Sequence, residues 1–222
     1  MSSLPGVWDL IGDTPFDILA LQEMRISNVA HWQQEAARAG MQLVVPTLEC
    51  GEHLVGFLVR TGTLCTVQLP LALGSNRAHT VAWHFDQGPP ILVCNMYGYV
   101  TPTAAQQDEL GRSISTFLDH SEGQGAPLAI LVGDFNQTRQ QVPQAHWLDF
   151  CQWADMSDEP TCLAGKAPRR IDWLVSSRAL QHRIAGKQLQ WDSGLSTHAW
   201  QALDLTRGTP ASSAVGAACR LP

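Results

Sequence analysis

Short apolar runs recur along the chain, and Gly, Pro and Asn part most of them. Two of these runs, ILALQ (Ile18–Gln22) and LAILV (Leu128–Val132), are apolar at successive positions, the pattern of central strands covered on both faces. Between Met41 and Gly98 the runs MQLVVPT, HLVGFLVRTG, LCTVQLPL, HTVAWHF and PILVCNMYG predict a meander of successive strands. RRIDWLVSS, GKQLQWD and HAWQALDL predict three more towards the end. Helical spacing interrupts them. SNVAHWQQEAARAG reads as a helix with Ser27 or Asn28 as N-cap and Gly40 just past its end. TAAQQDELGRSISTFLDH and a stretch around AHWLDFCQWAD read as two further helices, and LPGVWDLIG as a short one near the start. This order predicts an α/β sandwich with mixed sheets, not the repeating alternation of a doubly wound fold. One domain is expected over residues 1–205, and the small, polar stretch 206–222 is expected to be a disordered tail.

Composition then narrows the class. The chain has 222 residues, 45% hydrophobic and 15% charged, and a net charge of −6, so it carries a large core and a lightly charged surface. That balance argues against a broad basic face for nucleic acid, but leaves room for a metal-dependent cleft. The six cysteines form no C-x-x-C pair and are expected as free thiols in a reducing compartment. No secretory pattern and no apolar run of membrane-spanning length occurs, which predicts an intracellular protein, nuclear or cytoplasmic, with no membrane partner. P-loop, G-x-G-x-x-G and G-x-S-x-G signatures are missing. The pattern leaves oligomeric state open.

The chemistry lies at the ends of the predicted strands. In GDFN (Gly133–Asn136), side-chain alternation turns Asp134 and Asn136 the same way and Phe135 back into the core. FDILALQE delivers Gln22 and Glu23, PILVCNMY delivers Asn95 and Tyr97, and GLSTHAW offers His198. Asp172 falls inside the apolar run RRIDWLV, where a carboxylate is costly without a partner such as histidine. Taken singly, each has an ordinary explanation, as turn former, rim residue, packing aromatic or surface histidine.

In order, LQE, NMY, GDFN, RRID and STH resemble the endonuclease/exonuclease/phosphatase (DNase I-like) family, most nearly its AP-endonuclease and non-LTR retrotransposon branches. The resemblance runs from about Phe16 to Leu205. It implies an α+β, four-layer sandwich of two mixed, mainly antiparallel sheets flanked by helices. It further implies Mg²⁺-dependent phosphodiester hydrolysis, with Mn²⁺ as a substitute, on nucleic acid, DNA ahead of RNA. A phosphatase acting on a small phosphorylated molecule and an inactive binding module are the alternatives. By the same resemblance Glu23 is the metal ligand, and Asp134 orients and deprotonates the attacking water. Asn136 holds that water or the phosphate, Tyr97 hydrogen-bonds the transition state, and His198, kept charged by Asp172, donates to the scissile phosphate.

Two departures stand out. Thr197 occupies the place of the Asp that family members carry before the terminal His, and a hydroxyl supplies no anionic metal contact. No strand ending in Asn precedes Phe16, so the chain reads as an N-terminally truncated copy whose first strand is missing.

Overall fold

The computed structural model describes residues 16–47, 51–67, 76–85, 88–123, 128–155, 158–163, 167–191 and 198–206. The expected first helix, the stretch before Phe16 on which the expectation of a missing first strand rests, Thr197 and the tail beyond Thr206 all lie outside the described residues.

The strands form three sheets. The first has the order β1 (Ile18–Leu21), β3 (Gly56–Arg60), β2 (Met41–Val44), antiparallel throughout. The second is six-stranded, in the order β4 (Cys65–Val67), β5 (Ala78–Trp83), β6 (Ile91–Tyr97), β7 (Ala129–Asp134), β9 (Asp172–Ser176), β8 (Ala154–Asp155). The third pairs β10 (Ile184–Gln190) with β11 (Trp200–Leu205). Helix α1 (Val29–Arg38) links β1 to β2, and α2 (Ala104–Gly123) links β6 to β7. Because β6 and β7 are parallel, their connection has to cross over, and the twenty-residue α2 is that crossover.

Three apolar layers explain why so many strands are apolar on successive positions. On β6, Ile91 and Val93 face the inter-sheet core with Val44, Phe57, Val59, Val81, Ile130 and Leu174. Leu92, Cys94 and Met96 point the other way, onto Leu110, Ile114, Phe117 and Leu118 of α2. A third cluster packs Ala36 of α1 on Leu19, Leu21, Met41, Leu43 and Leu58. The order is therefore helix, small sheets, large sheet, helix, the predicted four-layer sandwich. Each side chain fully buried in these layers contributes about 1.5–3 kcal/mol.

Several boundaries differ from expectation. The predicted meander is divided, because β3 is buried along Gly56–Val59 between β1 and β2 and so is the centre of its own sheet, while β4, β5 and β6 belong to the large one. The helix expected around AHWLDFCQWAD shrinks to α3 (His146–Phe150), preceded by 3-10 turns at Arg139–Gln141 and Pro143–Ala145. Gln152 takes a left-handed φ of 58° and the Trp153 N–H reaches back to Leu148 O at 2.8 Å, which ends the helix and starts β8. A short helix α4 (Arg178–Gln181) follows β9. For α1 the cap is Asn28, whose Oδ1 accepts from the His31 N–H at 3.2 Å, and Gly40 turns the chain at φ 72°. Among the described residues Cys65, Cys94, Cys151 and Cys162 form no disulfide.

Candidate active site

Strand register sets the site. Tyr97 on β6 lies opposite Asp134 on the parallel β7, and Asp134 lies opposite Asp172 on the antiparallel β9. One row across three strands thus carries a phenol and two carboxylates. Gly133 makes the close approach of β6 and β7 feasible, since a Cβ there would sit 1.9 Å from Met96 O. Gly98 does the same one step on: a Cβ would sit 2.0 Å from Phe135 O, and its N–H donates to Asp134 O at 2.7 Å. Both glycines are thus required by the packing of one backbone on another.

Beyond Gly133 the chain turns as the sequence pattern predicts. Phe135 is fully buried and stacks on Trp173, with ring centroids 3.9 Å apart and planes 9° from parallel. The Phe135 N–H donates to Ile171 O at 2.8 Å, and Trp173 Nε1 donates to Gln137 O at 3.0 Å. Asn136 adopts a left-handed φ of 55°, and its N–H donates to Asp134 Oδ1 at 2.8 Å. Asp134 is the acceptor of this Asx-type turn, and Asn at 136 tolerates the left-handed conformation better than most residues. Its Nδ2 reaches Gly98 O at 3.4 Å.

Asp172 finds the partner its burial demands. His198 Nδ1 lies 3.0 Å from each carboxylate oxygen of Asp172. Thr161, fully buried, holds both halves of this pair. Its Oγ1 accepts the N–H groups of Asp172 at 3.0 Å and Ile171 at 3.2 Å, and its carbonyl accepts the Ala199 N–H at 2.7 Å. The next residue, Cys162, places Sγ 3.7 Å from His198 Nε2. The sequence reading missed Thr161 and Cys162, because their role arises from isolated bridges of Cys162 to Arg169 and His198 that no local pattern encodes.

Glu23 reaches the same place from the other sheet. It follows β1 with φ 54°, half-exposed, and its Oε1 lies 2.6 Å from Arg25 Nη2. Its predecessor Gln22 donates Nε2 to Asn95 Oδ1 at 2.6 Å, and Asn95 Nδ2 donates to Leu21 O at 2.8 Å and Gly56 O at 2.9 Å. Asn95, wholly buried on β6, is therefore a clamp between sheets, not a solvent-facing group.

The charges of these groups act on one another. Burial, then the charge of Asp172 and more weakly that of Glu23, pushes Asp134 up to about 7, with His198 and the Asn136 N–H opposing. His198 is raised above the ordinary imidazole value by its hydrogen bond to Asp172, against burial, with the charges of Asp172, Asp134 and Glu23 adding to it. Tyr97 is raised by burial and by Glu23 and Asp134, so it stays a phenol that donates; Arg77, whose guanidinium lies 5.0 Å from its ring centre, pulls the other way. Ligand atoms of Asp134, Asp172 and His198 fall within 4.8 Å of one another; Glu23 is not one of that group, and its charge is the weakest of the influences on Asp134. Several hard carboxylate oxygens, with one of them made to hold its proton to about 7 by burial and then by its neighbours' charge, fit a hard divalent cation that keeps most of its own waters. Every sequence-predicted site residue is thus placed here: Glu23 from one sheet, Tyr97, Asp134, Asn136 and Asp172 from the other, and His198 at the start of β11.

A sandwich with helices outside and this row of acids, phenol and imidazole on one sheet end is the DNase I-like endonuclease/exonuclease/phosphatase fold. Solved structures share it across almost the whole chain. The endonuclease domain of TRAS1, a telomere-specific non-LTR retrotransposon, is 14% identical, with 91% of each chain covered and a TM-score of 0.66. The 3′ phosphatase NExo from Neisseria, bound to product DNA hairpin, is 16% identical, with 92% of this chain and 96% of that one covered and a TM-score of 0.68. An AP endonuclease from Archaeoglobus fulgidus is 14% identical, with 91% and 95% covered and a TM-score of 0.67. No protein-family model and no curated protein matches the sequence.

Proposed function

We propose that the protein is a Mg²⁺-dependent phosphodiesterase that cuts nucleic acid internally, DNA ahead of RNA, with Mn²⁺ as a substitute metal. The observation that carries this reading is the row Tyr97–Asp134–Asp172 with His198 bonded to its last member. A phosphate diester repels a nucleophile by its own charge, so hydrolysis needs a base for water and donors that strengthen as charge builds. Asp134, with a pKa of about 7, is poised to take a proton from water near neutrality. Cationic His198, supported by Asp172, donates to a nonbridging oxygen, and Tyr97 adds a neutral donor beside it. Asn136, whose backbone N–H is bonded to the Asp134 carboxylate, orients water or phosphate. Glu23, with Asp134 adjacent, would hold the metal, which when bound offsets the charge of the phosphate. Arg25, exposed next to Glu23, offers a guanidinium to an approaching phosphate backbone. The product DNA bound to NExo and the likeness to endonucleases favour DNA as the partner. Among the described residues no helix is long and apolar enough to cross a membrane.

The test is incubation of the full chain with supercoiled plasmid, a duplex bearing one abasic site, RNA and inositol phosphates, each with Mg²⁺, Mn²⁺ or EDTA. Nicking of plasmid or abasic duplex with metal and not with EDTA is expected. Phosphate release from the small substrates alone would make the protein a phosphatase, and no turnover with any of them would leave a binding module.

A further inference from the structure

Arg77, just before β5, grips the end of β6 through both backbone and ring. Its carbonyl accepts the Tyr97 N–H at 2.8 Å. Its side chain turns back over the same stretch, where Nη1 donates to Tyr97 O at 3.2 Å and to Gly98 O at 2.9 Å. The guanidinium carbon lies 5.0 Å from the ring centre of Tyr97 and 4.1 Å from that of Tyr99. Both fall within the roughly 6 Å over which a cation is drawn to an aromatic face. Tyr99 is itself tied to α2, because its hydroxyl donates to Glu109 Oε2 at 2.9 Å. A line of contacts therefore runs from α2 through Tyr99 and Arg77 to Tyr97. Contacts of this kind would serve stability alone, but the sign of the charge aims them at the chemistry. Burial first, then the charges of Glu23 and Asp134, keeps the Tyr97 proton in place, and Arg77 opposes them, with Arg25 adding less.

We propose that Arg77 is a positioning residue for Tyr97: it fixes the ring and the peptide behind it, and sets a permanent positive charge beside the phenol. The guanidinium suits both tasks, since it stays charged at any working pH and lies flat on aromatic rings while its N–H groups hold carbonyls. With that charge beside it, the phenol O–H is a stronger donor as charge builds on the phosphate. Arg77 acts through Tyr97 and not on the substrate. The gain in turnover rests on the hydrolytic reading, whereas the hold on Tyr97 does not.

Fluorine NMR of the full chain, with its tyrosines replaced by a ring-fluorinated tyrosine whose more acidic phenol titrates where the fold holds, separates the two. The chain has two tyrosines, Tyr97 and Tyr99, so Tyr99→Phe assigns the signals. Arg77→Met should move the Tyr97 titration to higher pH, and Arg77→Lys, which keeps the charge, should restore part of the difference. Arg77→Gln, which still donates to a carbonyl, takes the place of Arg77→Met if that variant does not fold. A Tyr97 titration unmoved by loss of the charge, or equally displaced in Arg77→Lys, overturns the proposal. In a nicking assay Arg77→Met should lower turnover by about 10–100-fold with KM little changed. Once Tyr97→Phe has been made, the same substitution should cost less than about twofold. Equal losses in both backgrounds, or a loss confined to KM, mean that Arg77 serves the fold or the DNA directly, and overturn the positioning role. A parent that cleaves nothing defeats the hydrolytic reading, and the fluorine titration still decides whether Arg77 holds the phenol.

Discussion

Asp134 is held in a place where its charge is unwelcome, and that single fact makes two opposite predictions about one substitution. Burial and the neighbouring carboxylates raise its pKa to about 7 in the folded chain, against an ordinary value of 3.8 when unfolded. The folded state therefore binds the proton more tightly, so the group costs nothing below about pH 4. Its cost then grows as pH rises towards 7 and stays constant above. Asp134→Asn keeps an oxygen for the Asn136 N–H and removes the charge. It should lower turnover by roughly 10²–10⁴, the scale of a lost general base, while raising the melting temperature at pH 8 and leaving it nearly unchanged at pH 4. A variant less stable at pH 8 than the parent would contradict the burial argument. For the parent, activity should rise through about pH 7 as Asp134 ionises. It should fall again on the alkaline side as His198, raised above its usual value by Asp172, loses its proton. Asp172→Asn should bring that alkaline fall to lower pH, which a rate profile would show directly.

At the scale of the element, the ends of β6 and β7 are fitted together through their backbones. Gly133 lets Met96 O approach to a distance that no Cβ tolerates, and the Phe135–Trp173 stack then fixes the direction of the turn that follows. Gly133→Ala should destabilise the fold by about 3 kcal/mol, at the upper end of overpacking costs, and should lower turnover further by displacing Asp134. A urea melt with the parent's midpoint would show that the two strands separate without penalty. This turn was legible in the sequence: an apolar run, a glycine, then alternation placing Asp134 and Asn136 on one side and Phe135 on the other. So were most strands and the two long helices, because each carries its own period and its own stop signal. Pairing was not legible. The sequence of strands between Met41 and Gly98 suggested a meander, but whether β3 pairs with β4 or with β1 depends on contacts distant in the chain. Thr161 and Cys162 escaped notice for the same reason, since they meet Asp172 and His198 only after the isolated bridges to Arg169 and His198 form.

At the scale of the whole molecule, the site is divided between two sheets, so its geometry depends on how those sheets are held. Glu23 belongs to the three-stranded sheet and Asp134 to the six-stranded one, and their charges meet across the gap. If Glu23 holds the metal, Glu23→Ala should abolish Mg²⁺ binding in isothermal titration, and an unchanged affinity would remove it from the site. A sharper test leaves every candidate ligand in place. Asn95, fully buried on β6, joins the sheets by donating to Leu21 O and Gly56 O and accepting from Gln22, the residue next to Glu23. Asn95→Ala removes the extra bond to each of the Leu21 and Gly56 carbonyls and leaves the Gln22 amide without its acceptor, at about 0.5–1.5 kcal/mol per lost bond. In a chain of this size about 1 kcal/mol shifts the melting temperature by roughly 2–4 °C, so a fall on the order of 3–18 °C is expected. Gln22→Ala removes one donor and leaves both carbonyls bonded to Asn95, so its fall should be smaller. If the clamp sets the position of Glu23 as well as the stability, Asn95→Ala should weaken Mg²⁺ binding by about tenfold or more at a temperature where it is still fully folded, although Glu23 and Asp134 are untouched. A variant that melts early but binds Mg²⁺ as the parent does would show that β1 places Glu23 by its pairing with β3 alone.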